Sequence, residues 1–147
     1  MAIGLSLKTQ NFEKFKEDFE KYAQKSNISD IIPIVNIDEQ ISLKDVNIKA
    51  VKELSLLEPF GEANRMPLFL YKDLKIQSIR TLTEEKHLKL TLQDGNFYID
   101  AIGFNLGYLA NEYKIGDKVD VCGNLEINKF NSRESVQINL KDIRKAY

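Results

Sequence analysis

The chain has 147 residues, 43% of them hydrophobic and 29% charged, which suits one folded domain with or without an appendage and disfavours extensive disorder. No stretch approaches the roughly 18 apolar residues of a membrane span, and no signal peptide is evident, so we expect a cytoplasmic protein without membrane contact. The 21 basic and 22 acidic residues nearly cancel, so net charge does not indicate nucleic-acid binding, and a single cysteine excludes an internal disulfide.

The first 61 residues are predicted to form a helix, a strand and a second helix. Asn11 can cap the first helix, in which four aromatic residues recur at helical spacing. They are Phe12, Phe15, Phe19 and Tyr22. A single aromatic face at this spacing favours core packing over stacking on nucleic-acid bases. Residues 31–37 are typical of a short strand and residues 42–57 of a second helix, a set too small to form a core of its own.

The pattern changes to strands after residue 61, and we place the domain boundary there because Pro59 ends the helix and Gly61 permits a turn. Five strands are predicted, at residues 69–81, 86–94, 96–104, 118–130 and 134–143. Asp94-Gly95 indicates a tight turn between the second and third. A short helix at 106–113 completes the element order of an OB-fold, a five-stranded Greek-key barrel. The predicted class is therefore α+β, with a helix-strand-helix segment before the barrel.

A series of short motifs runs from residue 57 to residue 144. It comprises Leu57-Glu58-Pro59-Phe60-Gly61, His87-Leu88-Lys89-Leu90, Asp100-Ala101-Ile102-Gly103-Phe104-Asn105, Gly116-Asp117-Lys118-Val119-Asp120-Val121, Leu125-Glu126-Ile127-Asn128, Asn131-Ser132-Arg133-Glu134-Ser135 and Lys141-Asp142-Ile143-Arg144. In this order and spacing the series resembles the RecJ family of single-stranded-DNA-specific exonucleases. Ala2-Ile3-Gly4-Leu5 also resembles the end of a Gly-Gly-His-containing motif in the DHH-associated domain of that family.

The resemblance implies that residues 1–61 are the tail of a DHH-associated domain with a connecting helix, and that residues 62–147 are an OB-fold nucleic-acid-binding domain. We expect the chain to be the C-terminal portion of a longer protein, with earlier residues preceding the position of Met1. One loop departs from the family, which tends to have Gly-Asn-Pro after Phe-Gly, where this chain has residues 62–67.

The resemblance further implies a parent enzyme that degrades single-stranded DNA from 5′ to 3′ with manganese or magnesium, in DNA repair and recombination. The aspartate and histidine clusters that would bind those ions are absent from this sequence, whose only histidine is His87. We therefore expect this portion to contain no catalytic residue, to need no cofactor and to be inactive alone. The partners implied are single-stranded DNA and the catalytic domain of the same longer chain.

OB-folds bind single strands on the exposed face of strands two and three and on the loops joining strands one to two and four to five. In this chain the region offers cations and aromatic rings, at Arg80, Lys86, His87, Lys89, Tyr98, Lys129, Phe130 and Arg133. Cations contact phosphates, and each base stacked on an aromatic ring contributes about 1–3 kcal/mol. Binding through charge and stacking predicts little sequence preference and marked weakening by salt.

Several of these residues also fit plainer roles. The lysines suit an ordinary solvated strand face, and His87 suits a surface position better than a metal site. Alternation groups Tyr98 with Asp100 and Ile102 without showing whether that face is exposed.

An alternative function is a structural or protein-docking OB-domain, which closes the nuclease around DNA or recruits a single-stranded-DNA-binding protein. The near-neutral charge favours this alternative. A complete small enzyme is disfavoured because the sequence has no catalytic constellation. We expect a monomer in either role.

Overall fold

The computed structural model describes residues 4–26 and 34–146, which belong to two compact units, Met1–Val35 and Asn36–Tyr147. The first unit contains helix α1 (Phe12–Lys25), preceded by a 3-10 turn at Thr9–Asn11. Asn11 occupies the predicted N-cap position of α1, but it has helical backbone angles in that turn and its side chain forms no capping hydrogen bond. Among the described residues of this unit, none buries the aromatic face of α1, although Phe15 and Phe19 lie 5.8 Å apart.

The second unit is built on a closed barrel of five strands. These are β2 (Phe69–Leu82), β3 (His87–Asp94), β4 (Phe97–Gly103), β5 (Lys118–Phe130) and β6 (Arg133–Lys145). Their order is β2-β3-β4-β6-β5, and β5 pairs back onto β2 to close the barrel. All neighbours are antiparallel except β4 and β6, which are parallel. This topology confirms the predicted α+β class and the OB-fold.

The barrel interior follows from the alternation of apolar and polar residues. Leu88, Leu90 and Leu92 of β3 are fully buried, whereas the residues between them face outward. Burying each such side chain contributes about 1.5–3 kcal/mol. The predicted helix between the third and fourth strands is a 3-10 helix at Gly107–Asn111, whose buried Leu109 joins the same core.

Residues 36–68 also pack on the barrel. Strand β1 (Glu39–Gln40) pairs in parallel with the start of β2, and helix α2 (Ile48–Leu54) is flanked by 3-10 turns at Leu43–Asp45 and Ser55–Leu57. The predicted helix over residues 42–57 is thus interrupted, because Val46 is extended and Asn47 Oδ1 accepts a capping hydrogen bond from Ala50 N–H at 2.9 Å.

The compact units divide the chain between Val35 and Asn36, and the domain boundary predicted between residues 61 and 62 stays a prediction. Leu43 and Val51, which precede that predicted boundary, are buried in the barrel core. Of the strand predicted at residues 31–37, residues 31–33 lie outside the described residues and residues 34–37 form no strand; β1 follows them instead. In the described part of the chain, no helix combines the length and the apolar character needed to cross a membrane.

Candidate nucleic-acid interface

The outer face of β3 and β4 is where an OB-fold is expected to bind a single strand. Because Leu92 points into the barrel, its neighbour Gln93 lies on the outer face. β4 pairs with β3 so that Ile99 is opposite Leu92 and Tyr98 is opposite Gln93. Tyr98 therefore faces outward and is 61% exposed, and its hydroxyl accepts a hydrogen bond from Gln93 Nε2 at 2.9 Å. The orientation that alternation left open is now assigned: Tyr98 lies on the outer face.

A row of paired polar side chains crosses this face. Ser78 Oγ lies 2.9 Å from Thr91 Oγ1, and Thr91 Oγ1 donates to Asp100 Oδ1 at 2.9 Å. Lys89 Nζ lies 2.9 Å from Asp100 Oδ2, and the two side chains are only 24% and 42% exposed. The charge of Lys89 is therefore already balanced within the protein. A phosphate would have to compete with Asp100 for this lysine.

The turn between β2 and β3 contributes more negative than positive charge. Thr83, Glu84 and Glu85 all have positive φ angles, of 50°, 52° and 64°. Lys86 Nζ lies 3.8 Å from Glu84 Oε2, so its charge is partly matched. With two carboxylates for one amine, this turn is not a phosphate site in itself.

His87 stabilises the corner that follows β4. Its Nδ1 accepts a hydrogen bond from the backbone N–H of Asn105 at 3.0 Å. Its ring meets that of Phe104 edge to face, with centroids 5.3 Å apart. These contacts give His87 a structural role at the end of the barrel where β3 begins.

Arg80 lies at the same end of the barrel, opposite Lys89 in the β2–β3 register. It is exposed and makes no ion pair with the residues that the structure describes. Beside it is Tyr108 of the 3-10 helix, which is 61% exposed and which the sequence analysis missed. The sequence could have indicated this position. Leu109 is the buried leucine of the short helix, so its neighbour Tyr108 faces outward.

The turn between β5 and β6 presents an aromatic ring and an arginine together. Asn131 and Ser132 have φ angles of 49° and 61°, as in a two-residue type I′ hairpin turn. The turn places Phe130 directly opposite Arg133. Phe130 is 69% exposed, and Arg133 forms no ion pair within the described ranges 4–26 and 34–146. Both side chains are available to a ligand.

Glu134 balances the lysines near this turn. Lys129 Nζ lies 3.1 Å from Glu134 Oε1, and Lys52 Nζ of α2 lies 3.2 Å from Glu134 Oε2. Hydrogen bonds from Lys129 and then Lys52 lower the pKa of Glu134 below the usual range of a glutamate. The ion pairs connect α2 to the β5–β6 hairpin and leave Lys129 less available to a phosphate than Arg133.

The structure separates the predicted residues into two groups. One group surrounds the β2–β3 turn, and the other surrounds the β5–β6 turn and the start of β4, which is parallel to β6. The first contains Arg80, Lys86, His87 and Lys89, and the second contains Tyr98, Lys129, Phe130 and Arg133. The eight residues of β3 separate these ends by about 26 Å, at roughly 3.3 Å per residue. A single strand contacting both groups must cross the outer face.

The described residues do not provide a metal centre. Within residues 4–26 and 34–146, no three His, Cys, Asp or Glu side chains come together in an arrangement that could hold a metal ion.

Comparison with known proteins relates this chain to RecJ proteins. The model of the family described as RecJ OB domain matches residues 37–142. The single-stranded-DNA-specific exonuclease RecJ of Bacillus subtilis is 27% identical over 97% of this chain and 18% of its own length. The protein of the same name from Thermus thermophilus is 28% identical over 98% of this chain and 20% of its own length.

The structural comparison agrees. The crystal structure of Thermus thermophilus RecJ in complex with Mn²⁺ superposes with a TM-score of 0.66 and 26% identity, over 98% of this chain and 20% of that one. A second crystal structure of that protein contains Mg²⁺. The chain thus spans roughly a fifth of the length of these relatives.

Proposed function

The chain belongs to the RecJ OB domain family, and on that premise we propose that its barrel holds single-stranded DNA for an exonuclease whose catalytic part lies elsewhere in a longer protein. The proposal extends to this chain the substrate named for the relatives, which are single-stranded-DNA-specific exonucleases. In this role the barrel raises the local concentration of the strand at the catalytic part without breaking a bond itself. We propose 5′-to-3′ degradation in DNA repair and recombination for the whole protein.

The exposed pair at the β5–β6 turn supports this proposal most directly. Phe130 and Arg133 face each other across a turn in the loop that OB-folds use for single strands. An exposed phenyl ring stacks on any base, and a guanidinium binds the adjoining phosphate through two parallel hydrogen bonds. The two-residue turn holds both groups in place before the strand arrives, which reduces the entropy lost on binding.

The rest of the outer face favours a strand of any sequence. Its polar side chains already form hydrogen bonds within the protein, Thr91 with Ser78 and Asp100 and Gln93 with Tyr98, so they are not poised to select one base. Its lysine is paired with Asp100. Of the cations predicted to bind DNA, Arg80 and Arg133 are the two without an ion pair among the described residues, so phosphate contacts through them predict a slope of log affinity against log salt of about −1 to −2. That slope is shallower than the number of cations in the sequence suggests.

Catalysis is proposed to lie in the part of the longer protein outside this chain. Two crystal structures of Thermus thermophilus RecJ contain Mn²⁺ and Mg²⁺, whereas the described residues here include no group of three His, Cys, Asp or Glu side chains that could hold a metal ion. The chain's own contribution is to bind and orient the strand.

Fluorescence anisotropy of a labelled oligothymidylate tests the proposal. We expect saturable binding at low salt, weaker binding to duplex DNA, and a loss of about 5- to 30-fold for Phe130→Ala or Arg133→Ala. Arg65→Ala is the matched control, because Arg65 precedes the segment whose carbonyls at Met66 and Pro67 bond to Asn124 of β5, away from β3 and β4.

The absence of binding at protein concentrations on the order of 100 μM, where even a complex of about 5.5 kcal/mol forms, would contradict the proposal. Equal losses of affinity for Arg65→Ala and Arg133→Ala would show that binding depends on the total charge of the chain and not on the β5–β6 turn.

A second candidate is protein docking, and one observation favours it. Leu56, Leu57 and Met66 are exposed by 83%, 52% and 40% in the segment between α2 and β2. Beside them is a pocket of about 180 Å³, lined by Leu54, Phe60 and other residues of α2, β2 and β5. Such an apolar surface suits the catalytic domain of the same protein or a single-stranded-DNA-binding protein. The two functions use different faces, so one does not exclude the other.

A further inference from the structure

A groove of about 490 Å³ lies at the end of the barrel that carries the β2–β3 turn. Its walls are the end of β2, the turn itself and the 3-10 helix Gly107–Asn111. Five of its side chains carry polar or aromatic groups: Arg80, Thr81, Glu85, Tyr108 and Asn111. The groove lies at the opposite end of β3 from the Phe130–Arg133 pair.

Tyr108 is held outward by the residues on either side of it. Gly107 and Leu109 are buried, so the 3-10 helix is anchored on the barrel while the Tyr108 ring remains 61% exposed at the groove. Aromatic rings displayed in this way serve as platforms for unstacked bases.

Arg80 connects the groove with the outer face of the barrel. It lines the groove, and it is also the cross-strand neighbour of Lys89 on the outer face. Lys89 is neutralised by Asp100 at 2.9 Å, whereas Arg80 has no ion-pair partner in the described part of the chain. The guanidinium of Arg80 is thus the available phosphate ligand at this end.

The walls of the groove are fixed relative to each other. Gly107 N–H donates to the Lys86 carbonyl at 3.1 Å. A Cβ on Gly107 would lie 1.8 Å from the Glu85 carbonyl oxygen, so only glycine allows the helix to approach the turn this closely. A groove that is already formed binds a ligand without the cost of ordering its walls.

We propose that this groove is a second nucleotide subsite, in which Tyr108 stacks on one base and Arg80 binds the adjoining phosphate. The inference rests on the proposed function and deepens it. Glu85 repels a phosphate from the interior of the groove, so the base is the part that enters. A strand that begins at Phe130 and Arg133 reaches this subsite only after crossing the whole outer face.

Oligothymidylates of two lengths test the subsite, about 5 and about 15 nucleotides, which bracket most of the roughly 4–16 nucleotides that one OB-fold holds. In anisotropy titrations with the full 147-residue chain, Tyr108→Ala should weaken the longer ligand by about 5- to 30-fold and the shorter one by less than about twofold. Tyr108→Phe keeps the ring and should bind as the unsubstituted chain does. Tyr22→Ala on α1 removes another exposed tyrosine and should have no effect.

The outcomes separate the two proposals. If the unsubstituted chain binds neither ligand, both the proposed function and the subsite are refuted. If it binds both but Tyr108→Ala does not weaken the longer ligand selectively, only the subsite is refuted. A thermal melt of Tyr108→Ala should match that of the unsubstituted chain, because the substituted ring is exposed. A selective loss that Tyr108→Phe fails to restore would also overturn the stacking role.

Discussion

The two ends of the barrel's outer face carry the same kinds of residue but differ in how those residues are engaged. Near the β2–β3 turn, Lys86 is paired with Glu84, Lys89 with Asp100, and His87 accepts a hydrogen bond from the backbone. Most of the cations there stabilise the protein itself.

Near the β5–β6 turn, the arrangement is more open. Phe130 is 69% exposed beside Arg133, whereas Lys129 and Lys52 share the carboxylate of Glu134. The comparison shows that residue type alone does not identify a binding surface. A cation is available to a ligand where it is not already paired with a carboxylate, and a ring where it is not already packed against other side chains.

The largest predicted effect tests how closely the β2–β3 turn is packed. Gly107→Ala should lower the free energy of unfolding by about 3 kcal/mol, the upper range for overpacking, because the new Cβ meets the Glu85 carbonyl oxygen at 1.8 Å. Urea denaturation followed by circular dichroism measures the change. Gly61→Ala is the matched control, since nothing lies within 4 Å of its added Cβ, and its stability should change by less than about 0.5 kcal/mol.

If Gly107→Ala were as stable as Gly61→Ala, the turn would not be held on the 3-10 helix as described. The β2–β3 end would then be as open as the β5–β6 end, and the contrast between them would be lost.

A smaller effect tests whether pairing limits the lysine at the β2–β3 end. Asp100→Asn removes the carboxylate that neutralises Lys89 while keeping similar size and hydrogen-bonding capacity. Affinity for oligothymidylate at low salt should rise by about two- to fivefold, and the salt slope should steepen by about 0.7 as one more phosphate is contacted. Anisotropy titrations over a range of salt concentrations measure both quantities.

Glu13→Gln makes the same change in net charge on α1 and should leave the salt slope unchanged. An equal increase in affinity for both variants would show that only the total charge matters. Unchanged binding of Asp100→Asn would show that Lys89 does not reach the strand.

The strands were largely predictable from sequence because alternation is a local property. The predicted range 118–130 coincides with β5 (Lys118–Phe130), and the 69–81 range differs from β2 by one residue at its end. The helix predicted at 42–57 was less accurate, because Asn47 starts a new helix within it and Val46 is extended. Apolar spacing alone does not detect such an interruption.

The candidate site was only partly predictable, because availability depends on contacts between distant residues. Nothing in the sequence pairs Lys89 with Asp100 or Lys52 with Glu134; the register of β3 with β4 and the packing of α2 create those pairs. Tyr108 was missed because its exposure depends on which side of a short 3-10 helix faces the barrel. Phe130 and Arg133 were predicted because they lie at the loop between the fourth and fifth strands, whose position the strand pattern indicates.

The central claim is that the outer face between the two turns holds a single strand of DNA. Backbone amide NMR spectra of the ¹⁵N-labelled chain, recorded while oligothymidylate is added, test this claim most directly. We expect the largest shifts at Tyr98, Phe130 and Arg133 and along β3, with little change near Leu56 and Met66. Shifts confined to the region of Leu56 and Met66, or no shifts at saturating oligothymidylate, would contradict the account.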